Sequence, residues 1–533
     1  MKTVVIPCAG TGSRLGELTK NYNKAIITLG PKPVISYIIE HFTKDDEIII
    51  LLGYKGDYVK QVVEACYPDW NFKFIEVDNY EGPGSGLGYS LSRAYSLLQK
   101  PFIFWPNDTL LENDINNMDY DSNWVIVGLN SFDSLSYRHV IGNKKDNTMT
   151  TILPKDSVGY KYSYPYTGVC YIKDYKNFWE IYNSNRDLFV NDGESAGLNN
   201  LNNVIIYPAE KWIDTGNREI FEKAKFIYSQ NMEEVVLEKP DEAIWFIDDK
   251  VVKFHIDPKF ISDRVERFST FLCDKQKELG IKIPQLLSYS KNVYVYKREP
   301  GTIASKALTP EGLSTLLDNF MMMPVTELSD EDSLAVYLDF YRDKTISRIN
   351  KFLSSTPEVK DNNCFINGRF CIPTLDIVNS INWKKLSHNA LFSKHYHGDF
   401  HLENILCQGD KFVMLDWRQN FGKSKIGDIY YDYAKMWHSL IVNHSMVKKG
   451  LFSIKENNNE IIIDIHRTLI DTQMEDVLKS KINPKNIGHV KLLTALVFLN
   501  IAACHIGNYS RFLFYLGKYL INKVYVENME FFI

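Results

Sequence analysis

The ten residues HGDFHLENIL (397–406) hold two histidines, two acids, a glycine and an asparagine before the chain turns apolar. Phosphoryl transfer to an alcohol needs a carboxylate to orient and deprotonate the hydroxyl, and oxygen ligands for Mg²⁺. Asp399 suits the first role and Asn404, five residues on, suits the second. FVMLDW follows after a short turn and delivers Asp416 from the end of an apolar run as the main metal ligand. Other chemistries fit less well. Two histidines four apart would suit zinc on a helix, but Gly398 breaks a helix there and no third ligand is evident. A plain core segment would have to bury an aspartate and an asparagine with every hydrogen bond made.

A second constellation lies nearly four hundred residues upstream, in PCAGTGSRLGELTKNYNKAIITLGPKPVI (7–35). Ala9, Gly10 and Gly12 follow an apolar run, and glycine there lets backbone N–H groups face an anionic ligand at close range. Arg14 and Lys24 add positive charge suited to a triphosphate. Lys32 stands before Pro33, which suits the first turn of a helix. A dinucleotide fingerprint would need a third glycine where Leu15 stands.

The elements that must carry these residues differ between the two halves. TVVIPCA, DEIIILLG, FKFIEV and PFIFWPND are short apolar strands, separated by KPVISYIIEHF, KGDYVKQVVEACY and GLGYSLSRAYSLLQK, which have helical spacing. Buried strands alternating with amphipathic helices predict a mostly parallel sheet in a Rossmann-like α/β/α arrangement. Ligands bind outside the carboxyl ends of such strands, so the loops after Ala9, Val77 and Trp105 are the ones to inspect. From about residue 235 the pattern changes. AIWFIDDKVVKFHI predicts an antiparallel hairpin turning at Asp248–Asp249. A helix is expected over roughly Lys259 to Leu279, then strands QLLSYS and NVYVYKREPG, and from Thr309 mainly helices around the HGDFHLENIL segment. We therefore place one α/β domain at 1–232 and an α+β domain at 236–533, the latter with a small lobe at about 236–305 and a helical lobe at about 306–533.

Bulk properties narrow the partners. The 533 residues include 45% hydrophobic and 24% charged residues with a net charge of -5, so no basic nucleic-acid footprint is expected. The eight cysteines show no C-x-x-C pairing, which argues against a zinc or disulfide framework and for a reducing, cytoplasmic setting. No run of about 18 apolar residues predicts a membrane span. The expected partners are small-molecule substrates, and self-association is left open.

The first constellation resembles the signature of sugar-phosphate nucleotidyltransferases, and four further segments continue that resemblance in order over about 1–225. GPGSGLGYSL (82–91) is similar to the second glycine-rich segment, implying nucleotide contacts from Gly84, Ser85 and Gly86. FIFWPNDTL and WIDTGN imply the Mg²⁺ ligands Asp108 and Asp214, and YTGVCYI resembles the acceptor-side strand. By the same resemblance Arg14 and Lys24 are catalytic, and Lys32, Gly168 and Glu194 bind the acceptor. Asn23 departs from members that carry proline before the lysine, which puts the partner of Lys24 in question. The HGDFHLENIL half resembles the aminoglycoside phosphotransferase and choline kinase family, with a protein-kinase-like bilobal fold. That resemblance implies Asp399 as the catalytic aspartate, Asn404 and Asp416 on Mg²⁺, and ATP contacts from Lys253, Glu266 and Glu299. It also assigns Asp428 and Asp432 of GDIYYDYAKMWHSL to substrate binding, against the plainer reading of a capped helix start. The FIDDK turn lacks the glycines of a phosphate-covering loop.

Together the resemblances imply serial action. ATP and Mg²⁺ would convert a small polar alcohol or sugar into its phosphate, and a second triphosphate, CTP favoured over UTP, would give the nucleotidyl product for surface-glycan or lipid decoration. A choline kinase with a phosphocholine cytidylyltransferase, and an anomeric sugar kinase with an NDP-sugar pyrophosphorylase, both satisfy the motifs. So does an antibiotic-modifying kinase, although that leaves the first half unexplained. A different class of reading makes one half a non-catalytic binding or regulatory module.

Overall fold

The computed structural model describes residues 1–129, 136–143, 146–155, 163–229, 240–268, 281–322, 324–409, 411–457 and 460–532. The chain forms two compact units. The first comprises 1–233, 240–257 and 287–296, and the second 234–239, 258–286 and 297–533. The expected boundary at 232–236 lies outside the described residues, as do residues 269–279 of the helix expected over Lys259 to Leu279, of which Pro258–Arg267 is described.

The first unit is built on a nine-stranded sheet. Its order is Phe72–Glu76, Glu47–Leu52, Thr3–Cys8, Phe102–Phe104, Ser163–Ile172, Trp124–Val127, Ile205–Pro208, Thr148–Leu153 and His139–Asn143. The first four strands are parallel, as the alternating pattern predicts. Beyond them the sheet departs from a mostly parallel one, because Ser163–Ile172 inserts antiparallel between Phe102–Phe104 and Trp124–Val127. That pairing joins residues 39 to 70 apart in the chain and leaves no local pattern. Successive side chains of a strand point to opposite faces. Val4, Ile6 and Cys8 accordingly enter one core with Ile48, Ile50 and Leu52, while Val5 and Ala9 enter the other with Ile49 and Leu51. The unbroken apolar strands are thus those covered on both sides.

The hairpin Glu242–Ile247 and Lys250–His255 turns at Asp248–Asp249 in full register, with Asp248 at φ 51°. It shares a four-stranded sheet with Val293–Lys297 and Leu286–Tyr289. Trp245, Val252, Phe254, Val293 and Val295 from this sheet bury their side chains in the first unit's core.

The second unit is mainly helical, with Ile429–Ile441, Ile487–Ala502 and Gly507–Glu527 contributing to its core. It also carries a four-stranded sheet of Arg369–Cys371, Cys364–Ile366, Glu460–Ile465 and Phe452–Asn457, where helix was expected. Asn367 and Gly368 turn its tight hairpin at φ 48° and 76°. The asparagine–glycine pair is the sequence signal for that hairpin.

Candidate active sites

In the first unit, the loops after Cys8, Glu76 and Phe104 leave parallel strands at the same sheet edge. Gly12 sits at φ 68°, and a Cβ there would come within 2.9 Å of Thr19 and 3.3 Å of Lys24, so the loop closes only on glycine. Gly10 has open space around it, and Ala9 is buried. Asn23 is fully buried and fastens the loop. Its amide donates to the carbonyls of Cys8 (2.8 Å) and Tyr54 (2.6 Å), and its side-chain oxygen accepts from the Ala25 N–H (2.9 Å). The neighbouring Lys24 thereby reaches Asp108, Nζ to Oδ2 at 2.7 Å. In this structure the partner of Lys24 is a carboxylate.

Asp108 and Asp214 come together because Trp212–Asp214 pairs antiparallel with Thr109–Leu111, placing Asp214 opposite Thr109. A Cβ on Gly216 would stand 2.7 Å from Asp108 Oδ2, 3.0 Å from Asp214 Oδ1 and 3.1 Å from Arg14 Nη2. Three charged groups thus surround one glycine that must stay small. Burial raises the Asp108 carboxyl, but Lys24 and Arg14 outweigh it and hold it below the usual range. Asp214 moves the other way. Burial and then the charge of Asp108 raise it, opposed by the Gly216 N–H (2.8 Å) and the Tyr137 hydroxyl (3.0 Å). Two like charges held together fit a divalent cation, and Mg²⁺ takes one or two carboxylates plus phosphate oxygens.

The remaining expected residues take varied places. Gly84 (φ 78°) and Gly86 (φ 155°) lie in an exposed loop with Ser85, whose hydroxyl donates to the Gly82 carbonyl at 2.6 Å. Gly168 (φ 91°) makes room for Pro106, whose Cγ would stand 2.5 Å from an added Cβ, so it shapes the loop leading to Asp108. Lys32 pairs with Glu40 at 2.7 Å. Glu194 is buried and pushed up to about 7 by burial, with Arg138 opposing. Its Oε2 has no hydrogen-bond partner among the described residues.

In the second unit, the hairpin Ile405–Gln408 and Lys411–Met414 assembles the opening motif. Its first pair is Ile405 with Met414, and the Leu415 N–H then donates to the Asn404 carbonyl at 2.8 Å. Asp416, next in the chain, is thereby brought beside Asn404. It adopts φ 58°, an uncommon conformation for aspartate that clusters at functional sites. Asn404 Nδ2 donates to the backbone carbonyl (2.9 Å) and to Oδ2 (3.2 Å) of Asp399. Asp399 Oδ1 pairs with Lys435 Nζ at 2.8 Å, and Oδ2 lies 3.4 Å from His401 Nε2. Burial raises the Asp399 carboxyl, but Lys435 and His401 hold it well below the usual range. His397 is buried and stacked on Trp417 at 4.9 Å. His401 lies 3.1 Å from Glu403.

Asp432 accepts the backbone N–H groups of His397 (2.8 Å) and Gly398 (2.6 Å), so it fastens the start of the HGDFHLENIL segment. Burial pushes it up to about 7. Asp428 caps the helix Ile429–Ile441 and accepts the hydroxyls of Tyr337 (2.5 Å) and Tyr341 (3.0 Å). Both carboxylates are fully buried. Arg264 Nη1 lies 3.4 Å from Asp416. Glu266 pairs with Lys425 at 2.9 Å, and Glu299 with Lys282. Lys253, in the first unit, is buried on Lys250–His255 with its Nζ 5.8 Å from the Tyr296 ring centre. Sequence reasoning flagged Asn23 only as a departure beside Lys24, and missed Tyr137, Lys435 and Arg264, whose contacts lie far away in the chain. Gly216 lay inside the recognised WIDTGN segment.

Comparison with known proteins bears on the first of these sites. No family model matches the chain. The "Bifunctional protein GlmU" of Methanococcus vannielii is 27% identical over 153 residues, 28% of this chain and 34% of its own. The choline-phosphate cytidylyltransferase of Streptococcus pneumoniae is 30% identical over 123 residues, 22% of this chain and 49% of its own. The N-terminal part is similar to sugar-phosphate nucleotidyltransferases. The chain spans about a third of the length of the GlmU relative, and half or less of either relative. A solved UDP-glucose pyrophosphorylase from Acinetobacter baumannii overlaps 43% of this chain and 93% of its own, at 16% identity and a TM-score of 0.36. No described helix is long and apolar enough to cross a membrane.

Proposed function

We propose that the first unit transfers a nucleotidyl group from a nucleoside triphosphate to a phosphorylated small molecule. The observation that carries this is the convergence of Asp108, Asp214 and Arg14 on Gly216, with Lys24 on Asp108. An oxygen of the acceptor phosphate attacks the α-phosphorus, the bond to the bridging oxygen breaks, and pyrophosphate leaves. The protein's part is to position and neutralise. Lys24 and Arg14 bring fixed positive charge, and the Gly10–Gly12 turn offers N–H groups to the phosphates. Mg²⁺ held by Asp108 and Asp214 would supply the remaining charge neutralisation. CTP is the favoured triphosphate, supported by the likeness to a choline-phosphate cytidylyltransferase.

The second unit, on the same reading, phosphorylates a small alcohol with ATP, so that its product feeds the first. Support comes from the hairpin that sets Asn404 beside Asp416 while Asp399 stays ionised. Asp399 would accept the alcohol proton as the oxygen attacks the γ-phosphorus and ADP leaves. Two variants separate the activities. Asp214→Asn should stop pyrophosphate release and leave ADP formation intact, and Asp399→Asn should do the reverse. Loss of both activities in either variant would contradict two independent sites.

A further inference from the structure

The groups around Asp399 carry more positive charge than the phosphotransfer roles use. Arg418 runs along the catalytic loop. Its N–H donates to the His397 carbonyl at 2.8 Å, and a Cβ on Gly398 would stand 2.5 Å from its Cβ. Its guanidinium carbon lies 5.3 Å from the Phe340 ring centre. Lys344 Nζ lies 4.0 Å from that same ring centre and 5.8 Å from that of Tyr431. Tyr431 is one helical turn before Lys435, which pairs with Asp399. Lys344 follows a π-helical turn, Leu338–Asp343, a feature frequent at functional sites. Among the described residues neither Lys344 nor Arg418 makes an ion pair.

We propose that the alcohol phosphorylated at Asp399 also carries an anionic group, a carboxylate or a phosphate ester, which Lys344 and Arg418 hold. The inference rests on the kinase reading and names its substrate class. Lys344, Arg418 and Lys435 gather beside Asp399 and Asp432, Lys435 holds Asp399 in an ion pair, and partly buried charges without counter-charge are costly. Burial, then the charges of Arg418, Arg348 and Lys435, push the Lys344 amine well below its usual value, a repulsion that a bound anion relieves. A quaternary ammonium would meet the same cations. Three aromatic faces nearby are already engaged, Phe340 and Tyr431 by Lys344 and Trp417 by His397. The choline form of the expected activity is therefore disfavoured at this site.

The test measures ADP formation by the full chain with Mg²⁺ and ATP against two acceptor sets. One holds choline, ethanolamine, glycerol and free hexoses. The other holds glycerate, aldonates, hexuronates, glycerol phosphate and hexose phosphates, so its members separate the carboxylate from the phosphate source. Turnover is expected in the second set. Arg418→Met and Lys344→Met should each raise the acceptor KM by about tenfold or more, as for loss of a charge-assisted hydrogen bond, with Lys344→Arg restoring it and the KM for ATP little changed. Higher kcat/KM for a cationic or neutral acceptor overturns the inference and leaves the kinase reading standing. So does a rise in the KM for ATP alone, which would assign the cations to the nucleotide. If no acceptor gives ADP, the kinase reading falls, and thermal stabilisation by gluconate or glycerol 2-phosphate decides the anion site. Stabilisation that Arg418→Met abolishes supports the site, and no stabilisation overturns it.

Discussion

Asn23→Ala tests how the first unit holds Lys24. The side chain is fully buried and satisfies three backbone groups from three segments, the Cys8 and Tyr54 carbonyls and the Ala25 N–H. Alanine leaves all three without that partner. An unsatisfied buried group costs about 1–3 kcal/mol, and the low end applies where a carbonyl keeps a second lone pair, so the loss is about 3 kcal/mol. With a urea slope of about 3 kcal/mol/M, the unfolding midpoint falls by about 1 M. The freed loop also releases Lys24, and misplacement of about 1 Å costs about a hundredfold in rate. The assays are urea unfolding followed by fluorescence, and kcat for pyrophosphate release, with ADP formation as the internal control. A midpoint within about 0.2 M of wild type, below the scale of even one lost hydrogen bond, would refute the reasoning, as would unchanged transfer.

Three further outcomes follow from the same geometry. Tyr137→Phe removes a donor that lowers Asp214, so the acid limb of the transferase kcat/KM profile should move to higher pH, because activity is lost as pH falls through the Asp214 pKa; an unmoved or lowered limb would contradict the role. Gly168→Ala forces a Cβ against Pro106 at φ 91°, and should cost about 2–4 kcal/mol by thermal denaturation while slowing nucleotidyl transfer. Asp432→Ala leaves the His397 and Gly398 N–H groups unpaired, and should lower ADP formation without touching pyrophosphate release.

The parallel half of the sheet was legible because strands covered on both faces read as unbroken apolar runs, and the Asp248–Asp249 hairpin because its turn is two residues long. The residues that the structure gathers at each candidate site could be named from the sequence where one short segment carried them, as in HGDFHLENIL or WIDTGN. What escaped depends on long-range pairing. The antiparallel insertion of Ser163–Ile172 makes the sheet mixed, and although YTGVCYI was expected as a strand, no local pattern announces its partners. The helix start capped by an aspartate was legible, and Asp428 is that cap, but its two tyrosine partners and the hold of Asp432 on the His397–Gly398 backbone are tertiary contacts that no local pattern shows. The sheet around Asn367–Gly368 was signalled by its turn, but the surrounding helical periodicity masked it.

The most direct test of serial action is mass spectrometry of one reaction. Full-length protein would receive Mg²⁺, ATP, CTP and the pooled acceptors, with UTP, GTP and dTTP in parallel. The account predicts a new species with the mass of a CMP group joined to a phosphorylated acceptor, appearing with pyrophosphate and absent without ATP. Release of no pyrophosphate from any triphosphate, even when phosphorylated acceptors are supplied directly, would contradict it.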